Sequence, residues 1–304
     1  MLGWRYGIGT GFGRLWAAST AGNLGDGVGR VAVGLLAVGL TRDPFAVAVV
    51  TALSYVPGLV LNVPVGVLVD RYDRRQLAVL AGGVRTAAIT VLAVAAATGQ
   101  ASLWLLYAVV TLLYTCETVY DNAVSTMVPM IVSDPDDLER ANGRLQGARL
   151  VAESFLGPPL AGMVFALAAA SAFGISAACY LTAALLLVAL SGSYRPRRTT
   201  GQPHHPPSVR REMLEGLRYV LSHRLHRSPL ALMMAVFFAG AMVKATNVLW
   251  TLDVLGVSEA WFGVFTLTLA AGALAGSQSA AALVRRAGRG RASWITIAAS
   301  GVGD

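Results

Sequence analysis

The sequence predicts an all-helical protein that crosses a membrane many times, and three observations carry that prediction. Of its 304 residues, 55% are hydrophobic and only 13% charged, whereas ordinary soluble domains carry about 25% charged residues. Nearly uncharged stretches recur from end to end, each long enough to supply the roughly 20 residues that a helix needs to cross about 30 Å of hydrocarbon. The basic residues gather in alternate connections between those stretches. A cleaved leader would account for one apolar stretch at most.

The spans fall at roughly Leu15–Leu40, Phe45–Val69, Leu77–Ala97, Ser102–Val128, Leu145–Ala168, Phe173–Leu190, Leu230–Leu252 and Trp261–Val284. A ninth apolar stretch begins near Trp294 and covers about ten residues before Asp304, too few to cross a bilayer. The chain is therefore expected to end inside an element.

A net charge of +8 could suggest nucleic acid, but the placement of the charges argues otherwise. Arg14 precedes the first span, Arg71, Arg74 and Arg75 follow the second, Arg140 and Arg144 follow the fourth, and a run from Arg195 to Arg227 follows the sixth. The intervening connections hold little beyond Arg42. This is the positive-inside pattern, which puts the N-terminus and the long middle connection in the cytoplasm and the protein in the cell's inner or plasma membrane as a multi-pass protein. No soluble basic module remains to bind nucleic acid. Cys116 and Cys179 fall inside spans and read as small packing residues, and no metal-ligand or cofactor pattern is present. His204 and His205 sit among prolines and read as solvated linker residues.

Between Ser191 and Pro229 the composition shifts to Pro, His and Arg, dividing the chain into a six-helix bundle over 1–192, a cytoplasmic linker over 193–228 and a partial second bundle over 229–304. Within the linker, Met213, Leu214, Leu217, Val220, Leu221 and Leu225 recur at helical spacing opposite Arg211, Glu215, Arg218 and Arg224, the pattern of an amphipathic helix on the membrane face. "LVDRYDRR" from Leu68 has a faint echo in "LVRRAGRGR" from Leu283, each at the end of the second span of its half, as a parallel internal repeat would give.

"PVGVLVDRYDRRQ", residues 64–76, holds the most specific motif. A carboxylate at the C-terminal end of a helix faces that helix's own negative dipole end, so Asp70 requires an external partner. The stretch resembles the signature GxxxD(R/K)xG(R/K)(R/K) of the major facilitator superfamily, with Gly66, Asp70, Arg71, Arg74 and Arg75 matching and Asp73 standing where that signature has Gly. "NLGDG" (Asn23–Gly27), "LERANGRLQ" (Leu138–Gln146), "GPPLAG" (Gly157–Gly162) and "EGLRYVLSH" (Glu215–His223) are similar to the enterobactin-exporter-like and drug-efflux-like branch. The resemblance implies a secondary transporter in which Asp70 and its basic neighbours latch the cytoplasmic side by meeting a helix N-terminus in the other half. The helix that would receive Asp70 belongs to the last pair of such a transporter, beyond Asp304, so the chain is expected to be a fragment of one. Gly157, Pro158 and Gly162 match the fifth-helix exporter motif in part, with Glu153 where its leading Gly would stand. Without that role, the same residues make an ordinary proline kink.

Ionisable groups at membrane depth cost about 2.5–3.5 kcal/mol each on insertion scales and therefore face a bundle interior. Asp26 and Arg30, Glu117 and Asp121, and Arg149 and Glu153 are spaced i,i+4, which puts each set on one helix face. Opposite charges so placed neutralise each other; Glu117 and Asp121 do not. Helical rise sets Arg85 about 12 Å from the end of its helix, level with Asp121, so Arg85 is expected to pair with Asp121 or Glu117 and leave one carboxylate free to carry a proton. Asp26 and Glu153 are further coupling candidates, and a purely structural charge network is the competing reading.

These features predict an all-α, polytopic membrane protein whose six-helix N-terminal bundle is of the major-facilitator type and whose C-terminal bundle is incomplete, at about eight spans and the start of a ninth. The implied activity is proton-coupled export, an antiporter mechanism, acting on a small amphipathic or hydrophobic compound, drug- or siderophore-like. Its partners are that small molecule, protons and the lipid bilayer, with no nucleic acid and no cofactor. No HExxH, GxSxG or paired-Asp protease motif lies in a span, which argues against an enzyme. The rival reading is a truncated, transport-incompetent membrane protein serving as a scaffold or partner subunit.

Overall fold

The computed structural model describes residues 9–132, 134–192, 194–195, 222, 247–268 and 271–272. Its first part consists of six apolar helices, each long enough to span a bilayer: α1 (Thr10–Leu40), α2 (Pro44–Arg71), α3 (Arg74–Ala97), α4 (Leu103–Ile131), α5 (Pro135–Leu167) and α6 (Ala169–Val188). The first six expected spans lie within them or overrun their ends by one or two residues. The linker, its amphipathic helix and most of the residues expected to form the partial second bundle lie outside the described residues.

Local chemistry sets most helix starts. Asp43, Asp73, Ser102 and Asp134 each turn a side-chain oxygen onto an N–H of the first turn of α2, α3, α4 and α5 respectively, satisfying donors that have no intrahelical partner. The connections between the helices are short, so successive helices run antiparallel. Residue 9, the α2–α3 and α4–α5 connections and the end of α6 share one face of the membrane unit. That face carries Arg14, Arg71, Arg74, Arg75, Arg140, Arg144 and Arg195 and is called here the basic face.

α1 is the most buried helix and α2 the least. α1 packs against α5 and α6, α3 against α4 and α6, and α2 against α4. The closest approach is between α1 and α5: a methyl group on Gly27 would lie 2.5 Å from the Glu153 carbonyl oxygen, and one on Gly157 would lie 2.6 Å from Gly27 Cα. Small residues permit such backbone contact in membrane bundles. Two apolar clusters fill the interior. Leu15, Val69, Met127 and Leu187 belong to the one near the basic face, and Leu35, Ile89, Leu92, Leu106 and Phe173 to the one near the opposite face. The intramembrane charges lie between them.

The basic end of the bundle is tied internally. Arg14 and Arg75 donate to the carbonyls of Ala189 (2.8 Å) and Val188 (3.1 Å), the C-terminal end of α6, where a cation suits the helix dipole. Asp73 explains its own departure from the superfamily signature. One carboxylate oxygen caps α3 at Gln76 N, and the other accepts the Tyr194 N–H at 3.2 Å. Burial pushes the Tyr194 phenol above its ordinary range, keeping it a neutral donor to the Ser191 carbonyl.

Two stability results follow. Gly27→Ala is expected to cost about 1–3 kcal/mol by overpacking, read as a lowered thermal midpoint in detergent. Asp73→Ala removes a helix cap and is expected to cost about 0.5–2 kcal/mol, with Asp73→Asn recovering most of it in the same assay.

Candidate functional site

The polar layer resolves into two charge clusters, one lining a cavity and one closed. The cavity, of about 600 Å³, is lined by Arg30, Tyr114, Glu117, Asp121, Arg149 and Glu153, with Ser54, Asn62 and Asn122 beside them. Val248, Phe262 and Thr266 line it from the 247–268 region, so the cavity lies between the six-helix bundle and that region.

Within the cavity the ionic groups form one continuous chain. Glu117 stands 3.6 Å from Arg30; Arg30 pairs closely with Glu153; Glu153 accepts from Arg149 at 2.9 Å; Arg149 reaches Asp121 at 3.1 Å. The Tyr114 hydroxyl accepts from Arg30 Nε at 3.4 Å. The chain holds one more carboxylate than guanidinium, and Glu117 has the longest ionic contact in it. Asp121 and Arg149 are over a third exposed, whereas Glu117 and Glu153 are mostly enclosed, at 14% and 12%. Among the carboxylates solvent reaches Asp121 most, and Arg30, 47% exposed, is open to it as well. Beside Asp121, Asn122 donates to Asn62 at 3.1 Å, bridging α4 and α2.

Glu153 lies in a π-helical turn, Leu150–Leu156, inside α5. Pro158 has no N–H to give, and Gly27 presses on the backbone at Glu153, so the α-helical ladder is interrupted where "GPPLAG" begins. Here the i,i+4 pairing of Arg149 with Glu153 holds as the spacing predicts.

The second cluster is closed. Arg85 pairs with Asp26, and the Tyr180 hydroxyl donates to Asp26 Oδ1 at 3.0 Å. The Arg85 guanidinium lies 4.0 Å from the centre of the Tyr180 ring and 5.8 Å from that of Tyr120. Asp26 and Arg85 are 7% and 1% exposed. This corrects the expected pairing of Arg85 with Asp121 or Glu117, and of Asp26 with Arg30. The reason lies in which helix supplies the nearer carboxylate: Asp26 of α1, held also by the Tyr180 hydroxyl, takes Arg85, while Glu117 and Asp121 are met by Arg30 and Arg149. Depth along a helix, read from sequence, does not say which neighbouring helix presents the partner.

Of the other expected site residues, Gly157 and Gly162 serve close packing. Gly162 faces the Glu259 carbonyl, 2.9 Å from where a methyl group would stand, and Gly263 lies directly against Pro158 O. Asp70 is 73% exposed on its side chain, and among the described residues it pairs with Arg74 of its own half at 3.6 Å. Arg74 also donates to the Thr126 carbonyl, and a methyl group on Gly66 would meet nothing within 4 Å. The sequence reading missed Tyr114 and Tyr180. Tyr114 lies three residues before Glu117, on the same helix face, a signal that was available; Tyr180 has no counterpart in any pattern of α6.

A six-helix bundle bordering a charge-lined cavity at membrane depth defines a polytopic membrane protein with a polar centre. The chain belongs to the transmembrane secretion effector family of the major facilitator superfamily, which matches over residues 9–301. Its fold is similar to that of a bacterial homologue of the human lysosomal transporter Spinster, solved in an inward-facing, unoccupied conformation, with a TM-score of 0.69 and 16% identity over 91% of this chain. The chain spans 62% of the length of that protein. No curated protein matches the sequence.

Removing one member of the closed cluster leaves a buried charge without its partner, which costs about 3–5 kcal/mol. Arg85→Met is expected to lower the thermal midpoint sharply, and the double change Asp26→Leu with Arg85→Met to recover much of the loss.

Proposed function

We propose that this protein is a secondary transporter that exports a small amphipathic or hydrophobic compound, drug- or siderophore-like, by alternating access against inward proton flow. One observation carries the coupling: the cavity holds three carboxylates against two guanidiniums, in contact along one chain whose most exposed carboxylate is Asp121. An excess carboxylate in an enclosed site is where a proton binds at neutral pH, and Glu117 is the group least compensated by its neighbours. Protonation of Asp121 frees Arg149 for Glu153 and, through it, Arg30 for Glu117, so a proton bound at one end changes the pairing of Glu117 at the other.

Export direction is supported by the partial fifth-helix motif at Gly157, Pro158 and Gly162, which packs against residues 259–263. The exposed Asp70, with Gly66, Arg71, Arg74 and Arg75, is the latch of the basic face, available to a partner from the second half. Alternation of the basic residues places that face in the cytoplasm and the protein in the cell's inner or plasma membrane.

The test uses the whole chain in sealed vesicles with an imposed pH gradient and a fluorescent amphipathic dye. The wild type is expected to move dye with the gradient, and Glu117→Gln to lose at least about tenfold of the gradient-driven rate while still equilibrating dye down its own gradient, since removal of a proton-carrying group abolishes coupling but not the path. Equal gradient-driven rates in Glu117→Gln, Asp121→Asn and wild type would remove the proton role from this chain. A wild type that moves no dye would favour the scaffold reading.

A further inference from the structure

We propose that Arg42 and Asp253 form a lock that closes the mouth of the central cavity opposite the basic face. Among the described residues this is the one ion pair joining the six-helix bundle to the 247–272 region, and the two side chains are in direct contact. Arg42 is also the lone Lys or Arg in the described connections of that face.

Both partners are held by their own backbones. Arg42 lies in the three-residue connection between α1 and α2, where the Thr41 hydroxyl accepts the Asp43 N–H at 3.1 Å and Asp43 in turn caps α2 at Phe45 N. Asp253 lies in a π-helical turn, Trp250–Val254, closed by Leu255 N–H to Trp250 O and Val257 N–H to Thr251 O, with Gly256 at φ +66°. A left-handed glycine after a helix is an ordinary stop signal. Asp253 therefore sits at the negative end of its own helical segment, where a carboxylate is unfavourable without a cation from elsewhere. Arg42 supplies that cation from the other half of the chain. This is the electrostatic problem Asp70 presents on the basic face, but here the partner comes from across the interface.

The lock closes over tighter contacts beneath it. Val248 meets α1 at Gly34, and residues 259–263 meet α5 at Pro158 and Gly162. Val248 and Phe262 also line the central cavity, so parting Arg42 from Asp253 loosens the layer between that cavity and the far face. With their side chains 64% and 48% exposed, the pair is hydrated and weak. Weakness suits a contact that must break once per transport cycle. Ser258 and Glu259 lie in the same small depression as Arg42 and Asp253, so reversing the charge at position 42 adds repulsion from Glu259 to the loss of the pair.

The experiment reads access rather than transport, so its outcome is independent of proton coupling. In a background with Cys116→Ser and Cys179→Ser, Ser54→Cys places one reporter thiol in the cavity wall. Sealed vesicles of the whole chain then receive a membrane-impermeant maleimide on the Arg42 face. Arg42→Glu and Asp253→Arg are each expected to speed labelling by about two- to fivefold, the bias that an exposed ion pair can exert. The double change Arg42→Glu with Asp253→Arg is expected to return to the parent rate. Raising salt to about 1 M, which shortens electrostatic reach to about 3 Å, should bring the parent toward the single variants without any change of sequence. Single variants labelled at the parent rate, a double variant labelled as fast as the singles, or a parent indifferent to salt would each overturn the lock.

Discussion

The arrangement of this protein depends on one constraint: charges at membrane depth must be compensated by other charges, because hydrocarbon offers them no water. Seven ionisable groups, Asp26, Arg30, Arg85, Glu117, Asp121, Arg149 and Glu153, lie between the two apolar clusters of the bundle, and each has at least one oppositely charged partner. Exposed singly to lipid, each would cost about 2.5–3.5 kcal/mol. Four helices, α1, α3, α4 and α5, contribute them, so their registers must bring these residues to one level together.

Compensation is uneven. Asp26 and Arg85 form a closed pair with Tyr180 as a third partner and almost no exposure, as expected of a fixed joint among α1, α3 and α6. The five groups on the cavity side share partners, with Arg30 and Arg149 each facing two carboxylates. A guanidinium shared between two carboxylates can change its preference with little movement, and a network with an odd carboxylate changes net charge when a proton arrives. The first cluster is suited to holding helices together, the second to rearrangement. The π turn at Glu153 and the glycine contact at Gly27 belong to the second, and they set the position of the carboxylate that links the two arginines.

The two faces of the membrane unit solve a shared problem in different ways. On each, a carboxylate stands at the C-terminal end of a helical segment, against the local dipole. On the basic face Asp70 is exposed beside its neighbour Arg74, while Arg14 ties α1, and Arg75 and Asp73 tie α3, to the chain at the end of α6 within one half. On the opposite face Asp253 is met by Arg42 across the interface between halves. A closed contact on one face with a solvent-facing carboxylate on the other is an asymmetry consistent with the alternating access proposed above, in which the two mouths are never open together.

How much of this was legible in the sequence differs by level. Hydropathy located all six described spans, since the thickness of hydrocarbon fixes the length of apolar helix that must cross it, and the alternation of arginines fixed which connections share a face. The list of intramembrane charges was also complete for the bundle, because such residues stand out in an apolar background, and the i,i+4 spacing of Arg149 and Glu153 was enough to pair them. The partners of Arg85 and Asp26 were decided only by the fold. Sequence gives the depth of a residue along its helix but not which neighbouring helix presents the nearer partner, and Asp26 of α1 rather than Glu117 or Asp121 of α4 met Arg85. Contacts between distant segments, such as Tyr180 with Asp26, Asp73 with Tyr194 and Arg42 with Asp253, leave no periodic trace in the chain. They arise when the bundle closes, and only the tertiary structure holds them.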